Sequence, residues 1–189
     1  MIRIFFLVLI SCFCFTSCKS QEKMAVLEEI RDNQKSYYDN EIKDKENYSS
    51  VISFASQVEK SLGKKASDIL QSKSFVILEG FSPGWGNFQG LIWNDKEAYS
   101  YRKLSTENKL KIARVDFDQS FKEKTGIGMH IINRLDKWDI QYIGDLDNKI
   151  GMETLDGYNF IASRVTNQDG NMKVETIAFE QFIDEGQSN

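Results

Sequence analysis

Acidic side chains are the residues of this chain with the clearest capacity for chemistry, because paired carboxylates can share the acid and base steps of a hydrolysis. Asp116 and Asp118 are two residues apart at the end of a β-prone run, so they point to the same side of a strand. Glu79 lies in an apolar β-prone run, and Glu97 lies in the predicted turn that follows the next strand. If the four converge, they form the site of a carboxylate-dependent hydrolase, and if they stay apart they are solvated acids.

No other catalytic or ligand-binding signature accompanies these acids. His130 is the only histidine, and its apolar neighbours at the start of a predicted helix favour a structural role. The sequence contains no G-x-S-x-G nucleophile turn and no G-x-x-x-x-G-K phosphate loop. We therefore predict no catalytic residue, no metal site and no cofactor, and a non-enzymatic function is favoured.

The stretch EGFSPGWGNFQGLIW, residues 79–93, holds the only proline of the chain and four of its twelve glycines. This composition predicts a defined turn, which places Trp85 on a connection between strands. Aromatic rings on loops stack on sugars or anchor protein partners, so we take Trp85, Phe88 and Trp93 as candidate binding residues. The alternative is that these aromatic residues build the core of a half-buried β meander.

The first eighteen residues, MIRIFFLVLISCFCFTSC, have the anatomy of a signal peptide. Arg3 precedes an apolar run over residues 4–15, which is too short to span a bilayer as a helix. The run ends in Phe-Thr-Ser-Cys, which resembles the lipobox of bacterial lipoproteins, with Phe15 where leucine is usual. The resemblance implies cleavage after residue 17 and lipidation of Cys18. A plain secretory signal with incidental cysteines is the alternative.

Cysteine usage supports the lipid, because all three cysteines lie in this leader and Cys18 would otherwise be a lone thiol on an exported protein. Two or three acyl chains hold a protein on a bilayer beyond the reversible regime of a single chain. The resemblance therefore implies a protein of the cell envelope, anchored in the outer membrane with its body on the periplasmic or the surface-facing side. The following residues, CKSQEK, are similar to the surface-export signals of Bacteroidota lipoproteins, with Glu22 as the only acid.

The charge balance argues against nucleic acid as a partner. The chain has 24 Lys and Arg against 28 Asp and Glu, a net charge of −4, and no run of basic residues in the sequence. Nucleic-acid binding needs concentrated Lys and Arg to neutralise phosphates. We expect the partners to be the lipid bilayer and an envelope protein or glycan.

Hydrophobic periodicity predicts one α+β domain in which N-terminal helices pack on an antiparallel sheet of about five or six strands. Residues 18–47 are charge-dense and predict either a helix within 22–45 or a flexible tether. Residues 47–65 predict a second helix, residues 109–117 a strand with a bulge between Ile112 and Val115, and residues from about 129 a helix before a C-terminal hairpin. The expected organisation is a signal peptide over 1–17, the tether or helix over 18–47, the domain over 48–184 and a disordered tail over 185–189.

These observations favour a membrane-anchored envelope lipoprotein whose non-enzymatic domain binds a protein or another envelope component. The first alternative is an immunity or inhibitor protein against an envelope-acting toxin, since such proteins are small, acidic and free of catalytic motifs. The second alternative is the envelope hydrolase that uses the carboxylates named above.

Overall fold

The computed structural model describes residues 24–41, 45–107, 109–116, 129–139, 141, 157–168 and 171–182. Within these ranges the chain has the predicted α+β architecture, with helices at the N-terminus packed on a six-stranded antiparallel sheet and a further helix before the last two strands. The elements are α1 (24–41), α2 (Lys45–Lys65), α3 (Ser67–Leu70), β1 (Ser74–Ser82), β2 (Asn87–Trp93), β3 (Ala98–Lys103), β4 (Lys111–Val115), α4 (Met129–Lys137), β5 (Gly157–Gln168) and β6 (Asn171–Phe182).

The first two helices are amphipathic and bury one face each on the sheet. In α1 the buried positions are Leu27, Ile30, Arg31 and Gln34, which recur at the three- and four-residue spacing of one helix face. In α2 the predicted apolar stripe is buried as expected. Its members are Val51, Phe54, Ala55, Val58 and Leu62.

The strands follow the order β4-β3-β2-β1-β5-β6, and every neighbouring pair is antiparallel. The first four strands form a meander, and the segment containing α4 then returns the chain to the centre of the sheet, where β5 pairs with β1. In the C-terminal hairpin Gln168 pairs with Asn171, so only residues 169–170 separate the two strands. β1 therefore has a strand on each side.

Both faces of the sheet are covered. Phe75 and Ile77 of β1 pack with residues of α1, α2 and α3, whereas Val76 and Leu78 pack on the other face with α4. Because β1 is buried on both faces, it is a continuous apolar run interrupted by one acid, Glu79.

The predicted bulge in β4 is wrong. Residues 111–115 pair with residues 102–98 of β3 in an unbroken register. Ile112 packs on the helix-covered face, while Val115 packs on the α4 face. Ile112 and Val115 are three residues apart, so in a regular strand they point to opposite faces of the sheet, and both faces are buried. Their spacing therefore needs no bulge.

The N-terminal helix belongs to the same packed body as the strands. Leu27 and Ile30 are fully buried in one cluster with residues of α2, α3 and β1. The expected domain boundary at residue 48 falls inside α2. The expected signal peptide, Cys18 and the C-terminal tail lie outside the described residues.

Candidate functional site

A cluster of four polar side chains lies at the centre of the helix-covered face of the sheet. Glu79 of β1 is 0% exposed, and its carboxylate is surrounded by Arg31 and Gln34 of α1 and by Tyr101 of β3. We call these four residues the Glu79 cluster. A carboxylate in this position needs a partner of opposite charge and several hydrogen bonds, because burial of an unpaired charge is costly.

The guanidinium of Arg31 donates to both oxygens of Glu79, through Nη1 to Oε2 and through Nη2 to Oε1, the latter at 2.8 Å. This two-pronged geometry is the strongest form of an arginine–carboxylate pair. Gln34 donates to Oε2 at 3.2 Å and accepts from Arg31 at 2.7 Å, and the Tyr101 hydroxyl donates to Oε1 at 2.6 Å. The carboxylate therefore accepts hydrogen bonds from α1 in the helical layer and from β3 in the sheet.

α2 completes the surroundings of the guanidinium. The Ala55 carbonyl oxygen accepts from Arg31 Nη2 at 3.4 Å. Arg31 Nε lies 3.3 Å from Oε1 of the half-buried Glu59, close enough for an ion pair but not aligned for a hydrogen bond. The cluster thus connects α1, α2, β1 and β3.

A glycine in the intervening strand makes room for Tyr101. Gly90 of β2 pairs with Glu79 on one side and with Tyr101 on the other. A Cβ at Gly90 would clash with the Tyr101 ring, and it would lie 2.7 Å from the hydroxyl oxygen. The ring lies across the backbone of β2, and this is how a side chain of β3 reaches a carboxylate two strands away.

The electrostatics of the cluster favour a charged arginine and a neutral tyrosine. Burial lowers the pKa of Arg31, but the Glu79 carboxylate opposes this effect and the net pKa is raised. Burial, and next the neighbouring negative charge of Glu79, hold the pKa of Tyr101 well above its ordinary value. Tyr101 remains a hydrogen-bond donor, and it is not poised to lose its proton near neutral pH. Since all four side chains are buried, the cluster joins layers and offers no reacting atom to a substrate.

A second polar link ties α1 to the edge strand β6. Asn33 donates to the Val174 carbonyl oxygen at 3.4 Å and accepts from the Thr176 hydroxyl at 2.6 Å. Thr176 Oγ1 also lies 2.8 Å from the hydroxyl of Ser163. α1 is therefore fixed to the sheet at two separate points.

The acids whose convergence would form a hydrolase site are distributed over different parts of the sheet. Glu79 forms an ion pair with Arg31, whereas Glu97 lies at the β2–β3 turn and pairs with Arg114 at 3.7 Å. Asp116 is exposed at the end of β4, near that turn. Measured along β2, the position level with Glu79 and the position level with Glu97 are four residues apart, a distance of about 13 Å. Asp118 lies outside the described residues.

The candidate aromatic residues occupy three different environments. Trp85 is 60% exposed and is the only large hydrophobic side chain exposed to this degree in the described part of the chain. It lies in the β1–β2 turn over 83–86, where Gly86 has a φ of 62° and donates its N–H to the Ser82 carbonyl at 2.8 Å. This conformation favours glycine, so the turn presents Trp85 from a defined backbone.

Phe88 and Trp93 instead contribute to packing. Phe88 is half-buried and stacks on Phe81 and on Phe54 of α2, with ring centroids 4.5 and 4.3 Å apart. Trp93 is 1% exposed, and its indole N–H donates to Asp136 of α4 at 3.4 Å. The structure therefore does not bring the three rings together on one surface.

An open cleft of about 670 Å³ lies at the end of the sheet opposite to the Trp85 turn. Its wall includes the start of β1, the β2–β3 turn and Trp93. Both signs of charge line it, so it has no strong preference for an anion or a cation, and we assign it no ligand. The charged residues are Asp68, Lys73, Asp95, Lys96, Glu97, Asp136 and Arg164.

Sequence reasoning singled out Glu79 but missed Arg31, Gln34, Gly90 and Tyr101. Two signals were present. Arg31 and Gln34 share the helical spacing of Leu27 and Ile30, and a lone acid in an apolar strand requires a partner. The identity of that partner was not readable, because Arg31 is 48 residues away along the chain.

No protein-family model, curated protein or solved structure matches this chain. Among the residues that the structure describes, no group of three or more His, Cys, Asp and Glu side chains is arranged to hold a metal ion. Nor does any helix in those ranges combine the length and apolar character needed to cross a bilayer.

Proposed function

We propose that this chain is a lipoprotein of the cell envelope, anchored through Cys18, and that its domain binds an envelope protein through the turn that carries Trp85. The observation that carries the binding role is the exposure of this indole on a turn whose backbone is fixed. Exposed tryptophan is a frequent anchor of protein interfaces, because it offers a large rigid area with little loss of side-chain entropy.

The neighbourhood of Trp85 supports a preformed surface. Ser105 of the β3–β4 turn donates its backbone N–H to Asn87 Oδ1 at 3.0 Å, which joins two turns at this end of the sheet. The stacked rings of Phe81 and Phe88 lie in the strands that enter and leave the Trp85 turn. A partner would meet a surface that is already ordered, so little binding energy is lost to ordering it.

The test is recovery of a partner from detergent-solubilised envelopes of the native host, with Trp85→Ala as the test variant and Thr106→Ala, an exposed change in the neighbouring turn, as the control. We expect the wild type and Thr106→Ala to retain the same envelope protein and Trp85→Ala to lose it. Trp93 and Trp138 are buried, so a blue shift of tryptophan emission on binding would report Trp85. Equal retention by all three proteins would contradict the binding role.

The exposed face of α1 favours a second candidate, an immunity or inhibitor protein against a basic toxin. Its exposed charged residues are five acids and one lysine, which would complement a positively charged partner. A neutralised variant with Glu28→Gln, Glu29→Gln and Asp32→Asn tests it. This candidate requires that these substitutions abolish capture of the partner and that Trp85→Ala does not. The acids and the lysine are Glu28, Glu29, Asp32, Asp39, Glu41 and Lys35.

A further inference from the structure

Basic residues that are dispersed in the sequence come together at one edge of the fold. The last turns of α2, residues 60–65, and the β3–β4 segment, residues 99–114, contain eight Lys and Arg and one acid, Glu107. The rest of the chain contains 16 Lys and Arg and 27 acids.

The end of α2 and Arg114 lie on the helix-covered side of β4, whereas Arg102 and Lys111 lie on the side of Val115. The eight basic residues therefore surround the β4 edge of the sheet, and we call them the basic edge. They are Lys60, Lys64, Lys65, Arg102, Lys103, Lys109, Lys111 and Arg114, all exposed except the half-buried Lys103.

One direct contact joins the two segments. Lys65 Nζ donates to the Ile112 carbonyl oxygen of β4 at 3.5 Å, which brings the end of α2 to the edge strand. Arg102 and Lys111 are paired residues of β3 and β4. Lys111 has an ion pair with Glu107, and Arg114 has one with Glu97, so two acids neutralise only part of the positive charge.

The start of α1 lies against the same part of the molecule. The Met24 sulfur is 3.6 Å from the position that a Cβ on Gly63 would occupy, and Gly63 lies between Lys60 and Lys64. Residue 24 is six residues after Cys18, a length of chain that spans about 20 Å at full extension. A domain of this size is about 40 Å across, so the chain between the anchor and the body is short relative to the body.

From these observations we infer that the basic edge lies against the anionic phospholipid headgroups of the bilayer that holds the anchor. This inference rests on the proposed anchoring through Cys18. The short connection keeps the α2 terminus near the headgroups, and opposite charge then selects the orientation of the body. The exposed acids Asp39 and Glu41 at the far end of α1 favour the same orientation, because an anionic surface repels them.

Single features of the basic edge also have local explanations. Lysines on an edge strand discourage pairing with other chains, and Lys64 and Lys65 complement the dipole at the end of α2. Neither explanation accounts for eight basic residues around one edge of the sheet, two of which flank the contact between Gly63 and the start of α1. A surface that contacts anionic lipid gains roughly fivefold in partitioning for each basic residue close to it.

The first experiment uses the mature chain with Cys18→Ser, so that only the protein surface contributes to binding. Its sedimentation is measured with phosphatidylcholine vesicles that contain about 30 mol% phosphatidylglycerol or none. We expect binding to the anionic vesicles alone, weakened by salt. The variant Lys60→Gln/Lys64→Gln/Lys109→Gln/Lys111→Gln should lose at least about tenfold in partitioning.

The matched control neutralises four exposed lysines elsewhere, and circular dichroism verifies that both variants are folded. We expect the control to stay within about threefold of the parent, because its lysines lie away from the basic edge. Equal losses in the two variants, or no preference for anionic vesicles, would overturn the inference. The control substitutions are Lys35→Gln, Lys73→Gln, Lys96→Gln and Lys173→Gln.

The second experiment measures orientation in the lipidated protein, whose body contains no cysteine. A nitroxide is attached at Ser61→Cys in the basic edge or at Asn171→Cys in the distant strand β6, and vesicles carry a nickel-chelating lipid. We expect stronger relaxation at residue 61, and equal relaxation at both positions would overturn the inference. Mass spectrometry of the N-terminus separates the two proposals, since a missing lipid defeats the anchor and a lipidated chain without preferred orientation defeats only the basic edge.

Discussion

Two neighbouring residues of β1 lie on opposite faces of the sheet, and the aromatic rings that pack on these two faces make different contacts. Glu79 faces the helices, where the Tyr101 ring crosses Gly90 to donate a hydrogen bond to its carboxylate. Gly80 faces α4, where a Cβ would clash with the Phe160 ring of the neighbouring strand. In each case an aromatic ring covers a glycine of the adjacent strand.

The two rings differ in the contacts that they would lose if they were displaced. Phe160 stacks between Tyr158 and Phe179, with centroids 5.5 and 5.4 Å away, and such apolar contacts can be rearranged at modest cost. Tyr101 holds a hydrogen bond to a buried carboxylate that has no access to water. The comparison indicates that hydrogen bonds on the helix-covered face determine how α1 packs on the sheet. The α4 face contributes burial of apolar surface, which requires no comparable alignment of donors and acceptors.

The largest effect is expected from Arg31→Met, which leaves the Glu79 carboxylate buried without its counter-charge. We expect a loss of about 3–5 kcal/mol in the free energy of unfolding, measured by urea denaturation. The double variant Arg31→Met/Glu79→Leu should recover part of this loss, because no unpaired charge stays buried, although Gln34 and Tyr101 then lose their acceptor. If the double variant is no more stable than Arg31→Met, the cost arises from lost packing and the role assigned to the charge is wrong.

A second comparison sets Gly90→Ala against Gly80→Ala. Both introduce a methyl group under an aromatic ring, and overpacking costs about 1–3 kcal/mol. Gly90→Ala must also displace the Tyr101 hydroxyl from Glu79, which adds about 1.5–3 kcal/mol for a bond to a charged group. Denaturation should therefore show Gly90→Ala as clearly the less stable of the two, and equal stabilities would remove the distinction between the faces.

Tyr101→Phe should cost about 1.5–3 kcal/mol near neutral pH, because it removes the hydrogen bond and keeps the ring. Since the pKa of Tyr101 is raised in the folded state, its contribution is complete below the ordinary value of 10.0 and is lost as the pH rises further. The difference in stability between the wild type and Tyr101→Phe should thus shrink above pH 10. A difference that stays constant or grows would contradict a neutral, buried donor.

The smallest effect on stability is expected from Trp85→Ala, because this side chain is 60% exposed. Its melting curve should give a free energy of unfolding within about 0.5 kcal/mol of the wild type. A loss comparable to that of Tyr101→Phe would show that Trp85 supports the fold, and the exposed indole would no longer favour an interface.

The sequence predicted the elements better than their contacts. The α2 stripe, the meander and the C-terminal hairpin followed from local spacing, which neighbouring residues determine. The β4 bulge was wrong because Ile112 and Val115 face different layers, and that information resides in distant helices.

The candidate sites were less readable than the fold for the same reason. For α1 a flexible tether stayed open as the alternative to the expected helix, because two positions of its buried face are Arg31 and Gln34, which gain a partner only when β1 lies beneath them. The basic edge was invisible as a sequence feature, since its members come from segments that are separated by β1 and β2. Trp85 was placed correctly on a connection because its turn signal, proline with glycines, is local.

The functional proposal depends on the chemistry of Cys18, because the lipid anchor is what assigns the protein to the cell envelope. The most direct measurement is the intact mass of the N-terminal peptide from protein isolated with native membranes. We predict a peptide that begins at Cys18 and carries a thioether-linked diacylglycerol, with a further acyl chain where the host adds one. A soluble native protein whose Cys18 is an unmodified thiol would contradict the anchor and the envelope function built on it.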